Sequence, residues 1–368
     1  MRRVAVLGST GSIGTQALEI IQANPELELH SLLCGSRLDL IMQQKEQFSP
    51  LITAIASPEG DCPDGVITGQ DILQKTIDGA DIVLNAIVGS AGLRASLICK
   101  EKDITLALAN KESLVIGGSL LSGHISAGGI IPVDSEHSTI FRCLHLEPRP
   151  VRSITLTASG GSARHIPFEQ LPTAGVEDIL NHPTWDMGAR ITVDSATMVN
   201  KAFEVIEARW LFPGIQIDAV LHPQSIVHSF VRLEDGSWKA LLGRPDMKIP
   251  VQYALQYPGR KLEQISDDCP LDWGALEFSE LDGHRYPAFD IIVRAGQDGK
   301  TFPAAANAAD EIAVAAFLAG KINFGDIASV IEEVLAGHEA LEVNDFETVM
   351  EADRESRTQA ERIVKKIC

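Results

Sequence analysis

The chain has 368 residues and a mass of 39.7 kDa, which exceeds one ordinary hydrophobic core and, at roughly 150 residues per domain, predicts several domains. Its 45% hydrophobic and 22% charged residues exclude a disordered chain and are typical of soluble globular proteins. With 31 Lys and Arg against 50 Asp and Glu, the net charge is −19, which argues against sequence-independent binding to nucleic acid or an anionic membrane. An anionic substrate would therefore need a local basic pocket.

The six cysteines are scattered and form no CxxC pair, which favours free thiols in a reducing compartment. The first apolar run, Val4–Leu7, is too short for a secretory signal, and no apolar run approaches the ~18 residues of a membrane span. We therefore expect a cytoplasmic protein with neither a membrane nor a nucleic acid as partner.

Short β-rich runs alternate with helical stretches in the first third of the chain, a pattern typical of a parallel sheet with helices on both faces. We predict an α/β fold with an N-terminal Rossmann-like domain, a central α+β domain and a C-terminal helical bundle. The predicted boundaries are 1–134, 135–257, a linker over 258–287 that is rich in Pro, Gly and Asp, and 288–368.

A glycine-rich turn, Gly8–Gly14, follows the first predicted strand and leads into a helix. Such a turn lets the backbone approach a pyrophosphate, and the helix N-terminus offers N–H donors and a positive dipole. Gly11 and Gly14 fit the end of the dinucleotide fingerprint, whereas Ser9 replaces its first glycine. The context favours dinucleotide binding, and a merely tight turn is the alternative.

The second predicted strand ends in Leu33-Cys-Gly-Ser-Arg37. Sites specific for NAD place an acidic residue near this point, whereas NADP sites place a basic one. Arg37 therefore favours NADPH, with a solvated loop arginine as the alternative.

Two carboxylates, Asp134 and Glu136, follow the apolar run that begins at Ile130. If the extended geometry persists, both side chains project to the same side of the sheet. Oxygen-only ligation suits Mg²⁺ or Mn²⁺, and a solvated loop with a helix cap is an equal alternative. His137 is interpreted as a bystander.

A helix is predicted after Ser195, and it places Asn200, Lys201 and Glu204 close together beside an apolar stripe. Ser195 is predicted to be its N-cap, where anions bind. A surface helix with a salt bridge is the alternative, and spacing does not rank Glu204 above Glu207.

Two further motifs could contact a substrate. Ser159 and the two glycines after it follow a predicted strand and could present N–H and hydroxyl groups to a phosphate, with a plain turn as the alternative. The segment from His182 to Gly188, which contains Trp185, could form a lid, with a core tryptophan as the alternative.

Seven motifs occur together in one order, and together they resemble the 1-deoxy-D-xylulose 5-phosphate reductoisomerase family of the non-mevalonate isoprenoid pathway. The resemblance extends from Gly8 into the helical tail. The motifs are Gly8-Ser-Thr-Gly-Ser-Ile-Gly14, Ala109-Asn-Lys-Glu-Ser113, Pro132-Val-Asp-Ser-Glu-His137, Ala158-Ser-Gly-Gly161, His182-Pro-x-Trp-x-Met-Gly188, Val193-Asp-Ser-Ala-Thr-Met-Val-Asn-Lys201 and His222-Pro-Gln-Ser225.

The resemblance implies a homodimer whose N-terminal domain is Rossmann-like and NADP-binding and whose central α+β domain is catalytic. It also implies the use of NADPH and one divalent metal ion, Mg²⁺ or Mn²⁺. It implies that a sugar phosphate, 1-deoxy-D-xylulose 5-phosphate, is rearranged to a branched aldehyde phosphate and reduced to 2-C-methyl-D-erythritol 4-phosphate.

The resemblance also implies residue roles. The catalytic residues are Lys111, Asp134, Glu136 and Glu204, of which the three carboxylates bind the metal. The substrate contacts fall into three groups. Lys111, Ser135, Glu136 and Glu204 contact the reacting end, Ser159, Ser195, Asn200 and Lys201 bind the phosphate, and His182 and Trp185 belong to the flap. The cofactor contacts are Thr10, Gly11, Ser12, Ile13, Gly35, Ser36, Arg37, Asn110, Glu112 and Gly188.

One departure from the family concerns Ser36 and Arg37, where many members carry a Lys-Asn pair, so the residue that contacts the 2′-phosphate stays open. Two other functions compete with the implied one. One is a plain NADP-dependent reductase or semialdehyde dehydrogenase that performs no skeletal rearrangement. The other is a non-catalytic dinucleotide-binding sensor.

Overall fold

The computed structural model describes residues 1–58, 60–181, 188–259 and 264–368. The chain divides into two compact units. The first unit contains residues 1–113, 121–141 and 246–267, and the second contains residues 114–120, 142–245 and 268–368. The domain boundaries predicted from the sequence stay predictions.

The described residues form ten strands and fourteen α-helices. The strands are β1 (Arg2–Leu7), β2 (Leu27–Cys34), β3 (Ile52–Ile55), β4 (Ile82–Asn85), β5 (Thr105–Leu108), β6 (Ile130–Pro132), β7 (Val151–Ala158), β8 (Gln216–Leu221), β9 (Val227–Leu233) and β10 (Trp238–Leu242). The helices are α1 (Ser12–Ala23), α2 (Leu38–Phe48), α3 (Ile72–Ile77), α4 (Gly92–Glu101), α5 (Glu112–Ser126), α6 (Ser135–Leu144), α7 (Val176–Leu180), α8 (Ala189–Thr197), α9 (Val199–Leu211), α10 (Lys248–Gln256), α11 (Pro287–Asp298), α12 (Phe302–Leu318), α13 (Asp326–Ala336) and α14 (Phe346–Ile367).

The first unit is built on a six-stranded sheet in the order β3-β2-β1-β4-β5-β6, with every neighbouring pair parallel. Its central strands are continuous apolar runs because helices cover both faces of such a sheet. Val4, Val6 and Leu84 are fully buried there. The predicted Rossmann-like sheet is confirmed.

Helix α10 returns the chain to this first unit, more than 100 residues after β6. Val251 and Leu255 are fully buried in the same core cluster as the strand residues. The guanidinium of Arg2 donates hydrogen bonds to the carbonyls of Leu255 and Tyr257, at 3.1 and 2.5 Å. These contacts fix the C-terminal end of α10 against the start of β1.

The second unit contains a four-stranded mixed sheet in the order β10-β9-β7-β8. Strand β7 pairs in parallel with β8 and antiparallel with β9. Burial alternates residue by residue along β9, as expected where one face of a sheet packs on the core and the other does not. Val231 and Leu233 are fully buried on the packed face.

Helices α11 to α14 pack together and confirm the predicted C-terminal helical bundle. Helix α12 is rich in alanine, and Ala304, Ala308 and Val314 are buried on it. Small side chains let neighbouring helix backbones approach closely. Val349 and Ile363 of α14 are buried in the same unit.

Among the described residues, no helix combines the length and apolar character needed to cross a membrane. All six cysteines are free thiols, and Cys34, Cys99 and Cys143 are buried.

Candidate functional site

One edge of the first unit's sheet carries most of the residues predicted to bind the cofactor and the metal. Gly8 directly follows β1, Gly35 follows β2, Asn110 lies two residues after β5, and Asp134 lies two residues after β6. Because all these strands are parallel, their carboxyl ends meet at the same edge, where open α/β sheets bind their ligands.

The loop between β1 and α1 approaches its surroundings so closely that two of its positions have no room for a side chain. A Cβ atom on Gly8 would lie 2.3 Å from the Ala86 carbonyl oxygen, and φ there is +84°. A Cβ on Gly14 would lie 2.3 Å from the Gly8 carbonyl oxygen and 2.6 Å from the Cα of Ser9. The two glycines therefore allow the sharp turn and the close packing of α1 against it.

The N-terminus of α1 is available to an anion. Gly11 is the N-cap residue and no side chain caps the helix, and both Gly11 and Ser12 are exposed. The first N–H groups of a helix lack intrahelical acceptors, and with the helix dipole they favour a phosphate. Thr10 and Ile13 are half-buried beside them.

Arg37 lies against this loop. Its guanidinium nitrogen Nη1 is 3.5 Å from the carbonyl oxygen of Thr10, and Gly35, Ser36 and Arg37 are all exposed. The structure thus brings the predicted 2′-phosphate segment beside the predicted pyrophosphate loop.

Asn110 and Glu112 are buried, and their polar atoms shape the loop after β4. The Asn110 amide nitrogen donates to the carbonyls of Ile87 and Gly89, at 2.8 and 3.0 Å, and to Glu112 Oε2 at 2.7 Å. The other oxygen of Glu112 accepts a hydrogen bond from the Gly89 N–H at 3.0 Å. Both side chains therefore fix backbone at the cofactor edge.

Lys111, Asp134, Ser135 and Glu136 form a polar cluster at the same edge. The Lys111 ammonium lies 2.5 Å from Asp134 Oδ2, and the Ser135 hydroxyl donates to Glu136 Oε2 at 2.6 Å. His137 is fully buried, with Nδ1 3.4 Å from Asp134 Oδ1.

The expected extended geometry at Asp134 and Glu136 is wrong. Helix α6 begins at Ser135, and Asp134 Oδ1 accepts the backbone N–H of Glu136 at 3.1 Å. The carboxylate therefore caps the helix, because this position leaves backbone N–H groups without intrahelical acceptors. At Asp134 the backbone therefore follows the alternative interpretation, that of a helix cap.

In the second unit, Ser159, Gly160 and Gly161 form a tight loop after β7. The Gly161 N–H donates to the Ser159 hydroxyl oxygen at 3.2 Å. Gly160 and Gly161 have φ of +80° and +56°, which glycine adopts without strain. A Cβ on Gly161 would lie 2.7 Å from the Cα of Ala196, so the loop packs directly on α8 next to Ser195.

The prediction that Ser195 is an N-cap is wrong. Ser195 lies inside α8, two residues before its C-terminal end at Thr197. Met198, with φ of +64°, ends α8 and begins α9, so two helices stand where one was predicted. Proximity to the Ser159 loop, rather than a helix N-terminus, is the feature that places Ser195 at this site.

Asn200, Lys201 and Glu204 come together on α9. The Asn200 amide donates to Glu204 Oε1 at 2.7 Å, and the Lys201 ammonium contacts Glu204 Oε2. Lys201 is 4% exposed and Glu204 is 1% exposed. The alternative of a surface helix with an exposed salt bridge is therefore wrong, because both charged side chains are buried.

His182 and Trp185 lie outside the described residues. Gly188 is the exposed N-cap residue of α8, and its carbonyl accepts the N–H of Thr192 at 3.1 Å.

Three residues that support the Ser159 loop were missed from the sequence. Arg164 Nη1 donates to the Ser159 carbonyl at 2.7 Å, and the Tyr286 hydroxyl donates to the Gly160 carbonyl at 3.2 Å. Arg285 Nη1 donates to the Ala163 carbonyl at 2.7 Å. Arg285 and Tyr286 lie more than 100 residues from this loop, and no local pattern signals such contacts.

His222 fixes the backbone around it through three hydrogen bonds. Its Nε2 atom accepts the N–H groups of Ile226 and Val227, both at 3.1 Å, so the proton is on Nδ1, which donates to the Glu277 carbonyl at 2.8 Å. Burial lowers the pKa of His222, which keeps the ring neutral.

The donor sets fit a divalent metal and a dinucleotide. Asp134 and Glu136 in the first unit, and Glu204 in the second, each offer carboxylate oxygens, which suit Mg²⁺ or Mn²⁺. Asp134 and Glu204 each already lie against an ammonium group, that of Lys111 or Lys201. Each of these two carboxylates therefore already stabilises a neighbouring positive charge, as a metal ligand would. The bare helix N-terminus of α1 fits a diphosphate.

Family models for this chain agree along its length. Residues 4–118 match the model described as 1-deoxy-D-xylulose 5-phosphate reductoisomerase. Residues 130–212 match that family's C-terminal domain, and residues 242–359 match a DXP reductoisomerase C-terminal domain.

Relatives and solved structures agree with those models. The 1-deoxy-D-xylulose 5-phosphate reductoisomerase of Exiguobacterium sibiricum is 44% identical, with 97% of each chain covered, and that of Desulfitobacterium hafniense is 42% identical, with 99% and 100% covered. The Zymomonas mobilis enzyme in complex with NADPH has a TM-score of 0.88 at 35% identity, with 99% of each chain covered. A DOX-P reductoisomerase in complex with NADPH, fosmidomycin and magnesium has a TM-score of 0.89 at 35% identity, with 99% and 98% covered.

These matches favour neither the plain reductase nor the dinucleotide sensor. Full-length identity above 40% and three consecutive family models lead to one conclusion: the chain belongs to the 1-deoxy-D-xylulose 5-phosphate reductoisomerase family.

Proposed function

We propose that this chain isomerises and reduces 1-deoxy-D-xylulose 5-phosphate to 2-C-methyl-D-erythritol 4-phosphate, using NADPH and one divalent metal ion. The observation that carries the proposal is the shared sheet edge in the first unit. The phosphate-binding loop after β1 and the Lys111–Asp134 pair after β5 and β6 lie at that edge. The proposed dinucleotide site and the proposed oxygen-binding cluster thus share one scaffold.

The cofactor is proposed to bind along the carboxyl ends of β1, β2 and β5. The N–H groups at the start of α1 and the residues from Thr10 to Ile13 would bind the diphosphate. Exposed Ser36 and Arg37 would bind the 2′-phosphate, and Gly35, Asn110, Glu112 and Gly188 complete the proposed contacts. When bound, NADPH supplies the hydride for the reduction.

Asp134, Glu136 and Glu204 are the proposed metal ligands. When bound, the ion polarises the substrate carbonyl and stabilises negative charge that develops on its oxygens. Asp134 is also the cap of α6, and Glu204 is held by the Asn200 amide. Both carboxylates are therefore fixed in direction before any ligand arrives.

The substrate contacts divide between its reacting end and its phosphate. Lys111 and Ser135 are proposed to bind the oxygen atoms of the carbon backbone, where the Lys111 ammonium adds a positive charge. The phosphate-binding residues are proposed to be Ser159, Ser195, Asn200 and Lys201. Binding energy from the unreactive phosphate can then orient the reacting end, and His182 and Trp185 are proposed to cover the substrate and exclude water.

The working form is proposed to be a cytoplasmic homodimer. Trp238 and Leu242 on β10 are 51% and 48% exposed, and Phe278 is 44% exposed, and apolar surface of this kind supports an interface. The buried free thiols support a reducing compartment. Sedimentation analysis of the purified protein tests the dimer, and a monomer at micromolar concentration would contradict it.

The experiment for the proposed activity measures NADPH oxidation by the purified protein with 1-deoxy-D-xylulose 5-phosphate. Mg²⁺ or Mn²⁺ is present at first, then an excess of chelator, then the metal again. We expect oxidation that the chelator abolishes and the metal restores. Oxidation that continues in the chelator would support the plain reductase. Binding of NADPH with no oxidation under any metal would support the sensor.

A further inference from the structure

A cluster of buried and half-buried charges joins α8 to the helical bundle within the second unit. Arg190 of α8 has its Nη1 atom 3.1 Å from Glu311 Oε1, its Nε atom 3.6 Å from Asp194 Oδ2, and its Nη2 atom 3.8 Å from Asp310 Oδ2. Its Nη2 atom also lies 3.5 Å from Asn307 Oδ1. One guanidinium therefore lies among three carboxyl groups, two of which belong to α12.

Helix α14 extends this cluster. Arg357 Nη2 lies 2.7 Å from Glu311 Oε2, and Arg357 Nε lies 2.7 Å from Asp353 Oδ2. The cluster thus contains two guanidinium groups and four carboxyl groups. Full ionisation would leave two excess negative charges in a cluster whose three aspartates are buried, which is costly.

Asp310 is the carboxyl group least suited to carry one of those charges. It is 0% exposed, and its side chain lies within hydrogen-bonding reach of the Asp194 carboxyl group. When both carboxyl groups are ionised, no N–H or O–H group in the described part of the chain donates to either oxygen of Asp310. Burial, and then the neighbouring Asp194 carboxylate, raise the pKa of Asp310 well above its ordinary value. The charged groups that face it are Asp194 and Arg190 from α8 and Glu311 from its own helix, whereas Arg357 acts through Glu311.

We propose that Asp194 and Asp310 share one proton and that this neutral contact, together with Arg190, positions α8 so that Ser195 can bind the substrate phosphate. Asp194 directly precedes Ser195 on α8, and the Ser159 loop packs on the next residue, Ala196. A shift of α8 relative to α12 would therefore alter the phosphate site. Asp310 is a positioning residue, since it acts through Asp194 and touches no reactant.

This proposal depends on the proposed function, because it takes Ser195 as a phosphate contact. It adds a specific consequence. When the shared proton leaves at alkaline pH, two negative charges face each other and repel. The affinity for the substrate phosphate should then fall more than the affinity for NADPH, because the proposed NADPH contacts other than Gly188 belong to the first unit.

The test compares Asp310→Asn and Asp310→Ala with Glu361→Gln. Asparagine keeps the size and the hydrogen bond of a neutral carboxyl, whereas alanine removes both. Glu361 is an exposed residue of α14, and its substitution by Gln removes the same charge from the surface rather than from a buried site. For each variant, KM for 1-deoxy-D-xylulose 5-phosphate, KM for NADPH, kcat and the inhibition constant of inorganic phosphate are measured from pH 7 to 10. Infrared difference spectra in H₂O and D₂O report directly on a protonated carboxyl group.

We expect the wild type and Glu361→Gln to show the protonated-carboxyl band and an alkaline rise in KM for the sugar phosphate. Asp310→Asn should lose the band, remove the alkaline rise and keep neutral-pH KM within about twofold. Asp310→Ala should raise KM and the phosphate inhibition constant at least fivefold, with kcat changed less than twofold. An Asp310→Ala variant that fails to fold leaves the Asp310→Asn comparison decisive.

A wild type without the band, or an alkaline rise that Asp310→Asn retains, would overturn the proposal. An equal loss of NADPH affinity in Asp310→Ala would also overturn it, because the effect would then be a general loss of structure. If the wild type shows the band but does not turn over the sugar phosphate, the proposed function fails while the shared proton stands.

Discussion

Lys201 and Glu204 form an ion pair one turn apart on α9, with side chains only 5% and 2% exposed. The other oxygen of Glu204 accepts the Asn200 amide at 2.7 Å. A carboxylate held on both oxygens in this way has a fixed direction, and its charge offsets part of the cost of burying the ammonium beside it. The same carboxylate is a proposed metal ligand and its partner a proposed phosphate ligand, so the two proposed roles are electrostatically linked.

Glu204→Gln is expected to abolish metal-dependent turnover. The amide keeps the shape of the side chain but removes the charge that a divalent ion requires. Substituting a residue that only supports a metal ligand typically costs up to about 100-fold in activity, so the loss in kcat/KM for a ligand itself should be larger. NADPH affinity, measured by fluorescence titration, should stay nearly unchanged, because the cofactor loop belongs to the other unit. Glu361→Gln, which removes the same charge from an exposed position of α14, is the control variant and should leave activity unchanged. Equal loss of NADPH binding in Glu204→Gln would contradict the assignment of Glu204 to the metal rather than to the cofactor.

Arg37→Ala is expected to weaken NADPH binding more than NADH binding. A hydrogen bond between charged groups contributes about 1.5–3 kcal/mol, so the Kd for NADPH should rise roughly 10- to 100-fold, while the Kd for NADH changes little. Ser36→Ala in parallel identifies which of the two side chains makes the contact. Equal weakening of both cofactors in Arg37→Ala would show that Arg37 does not bind the 2′-phosphate.

Gly14→Ala is expected to destabilise the first unit, because the new Cβ would lie 2.3 Å from the Gly8 carbonyl oxygen. Overpacking of this kind costs about 1–3 kcal/mol, measured as the free energy of unfolding in urea. Gly35→Ala is the control, since a Cβ there meets nothing within 4 Å, and it should change stability by no more than about 0.5 kcal/mol. A Gly14→Ala variant as stable as Gly35→Ala would show that the loop relaxes freely.

Stability should fall as the pH drops below the ordinary pKa of histidine. His124 is 4% exposed, its Nε2 lies 3.1 Å from the Ile104 carbonyl oxygen, and burial lowers its pKa in the folded state. The unfolded chain therefore takes up the proton first, so this contribution to stability is present above about pH 6.5 and is lost as pH falls toward the lower folded pKa.

The measurement is the free energy of unfolding from pH 7.5 to 5.5. His124→Gln, whose amide can still donate to the Ile104 carbonyl, should remove up to about 1.4 kcal/mol per pH unit of the slope. His284→Gln, at an exposed position, should leave the slope unchanged. A wild-type slope that His124→Gln does not reduce would contradict a neutral buried His124.

Local pattern was sufficient for the first unit's sheet and for the bundle. Continuous apolar strands such as Val4–Leu7 and the alanine-rich stretch from Pro303 to Ala319 encode burial directly in their composition, and the structure places β1 and α12 there. Asn200, Lys201 and Glu204 were grouped correctly because helical spacing fixes side chains three and four residues apart.

What local pattern missed depends on single dihedral angles or on distant contacts. Met198 at φ of +64° divides two helices, and no glycine or proline marks that break. Asp134 was predicted to be extended, but it caps α6, where its carboxylate accepts the otherwise unpaired N–H of Glu136. Tyr286 holds Gly160 from 126 residues away, a contact that only the folded chain reveals.

The most direct test of the central claim is the carbon skeleton of the product. 1-Deoxy-D-xylulose 5-phosphate carrying ¹³C at two carbons that become separated by the rearrangement is turned over with NADPH and Mg²⁺, and the product is examined by NMR. The proposed function predicts that the one-bond ¹³C–¹³C coupling between the two labels is lost and that the spectrum is that of 2-C-methyl-D-erythritol 4-phosphate. A reduced product with the labels still adjacent in an unbranched chain would contradict it and identify a plain reductase.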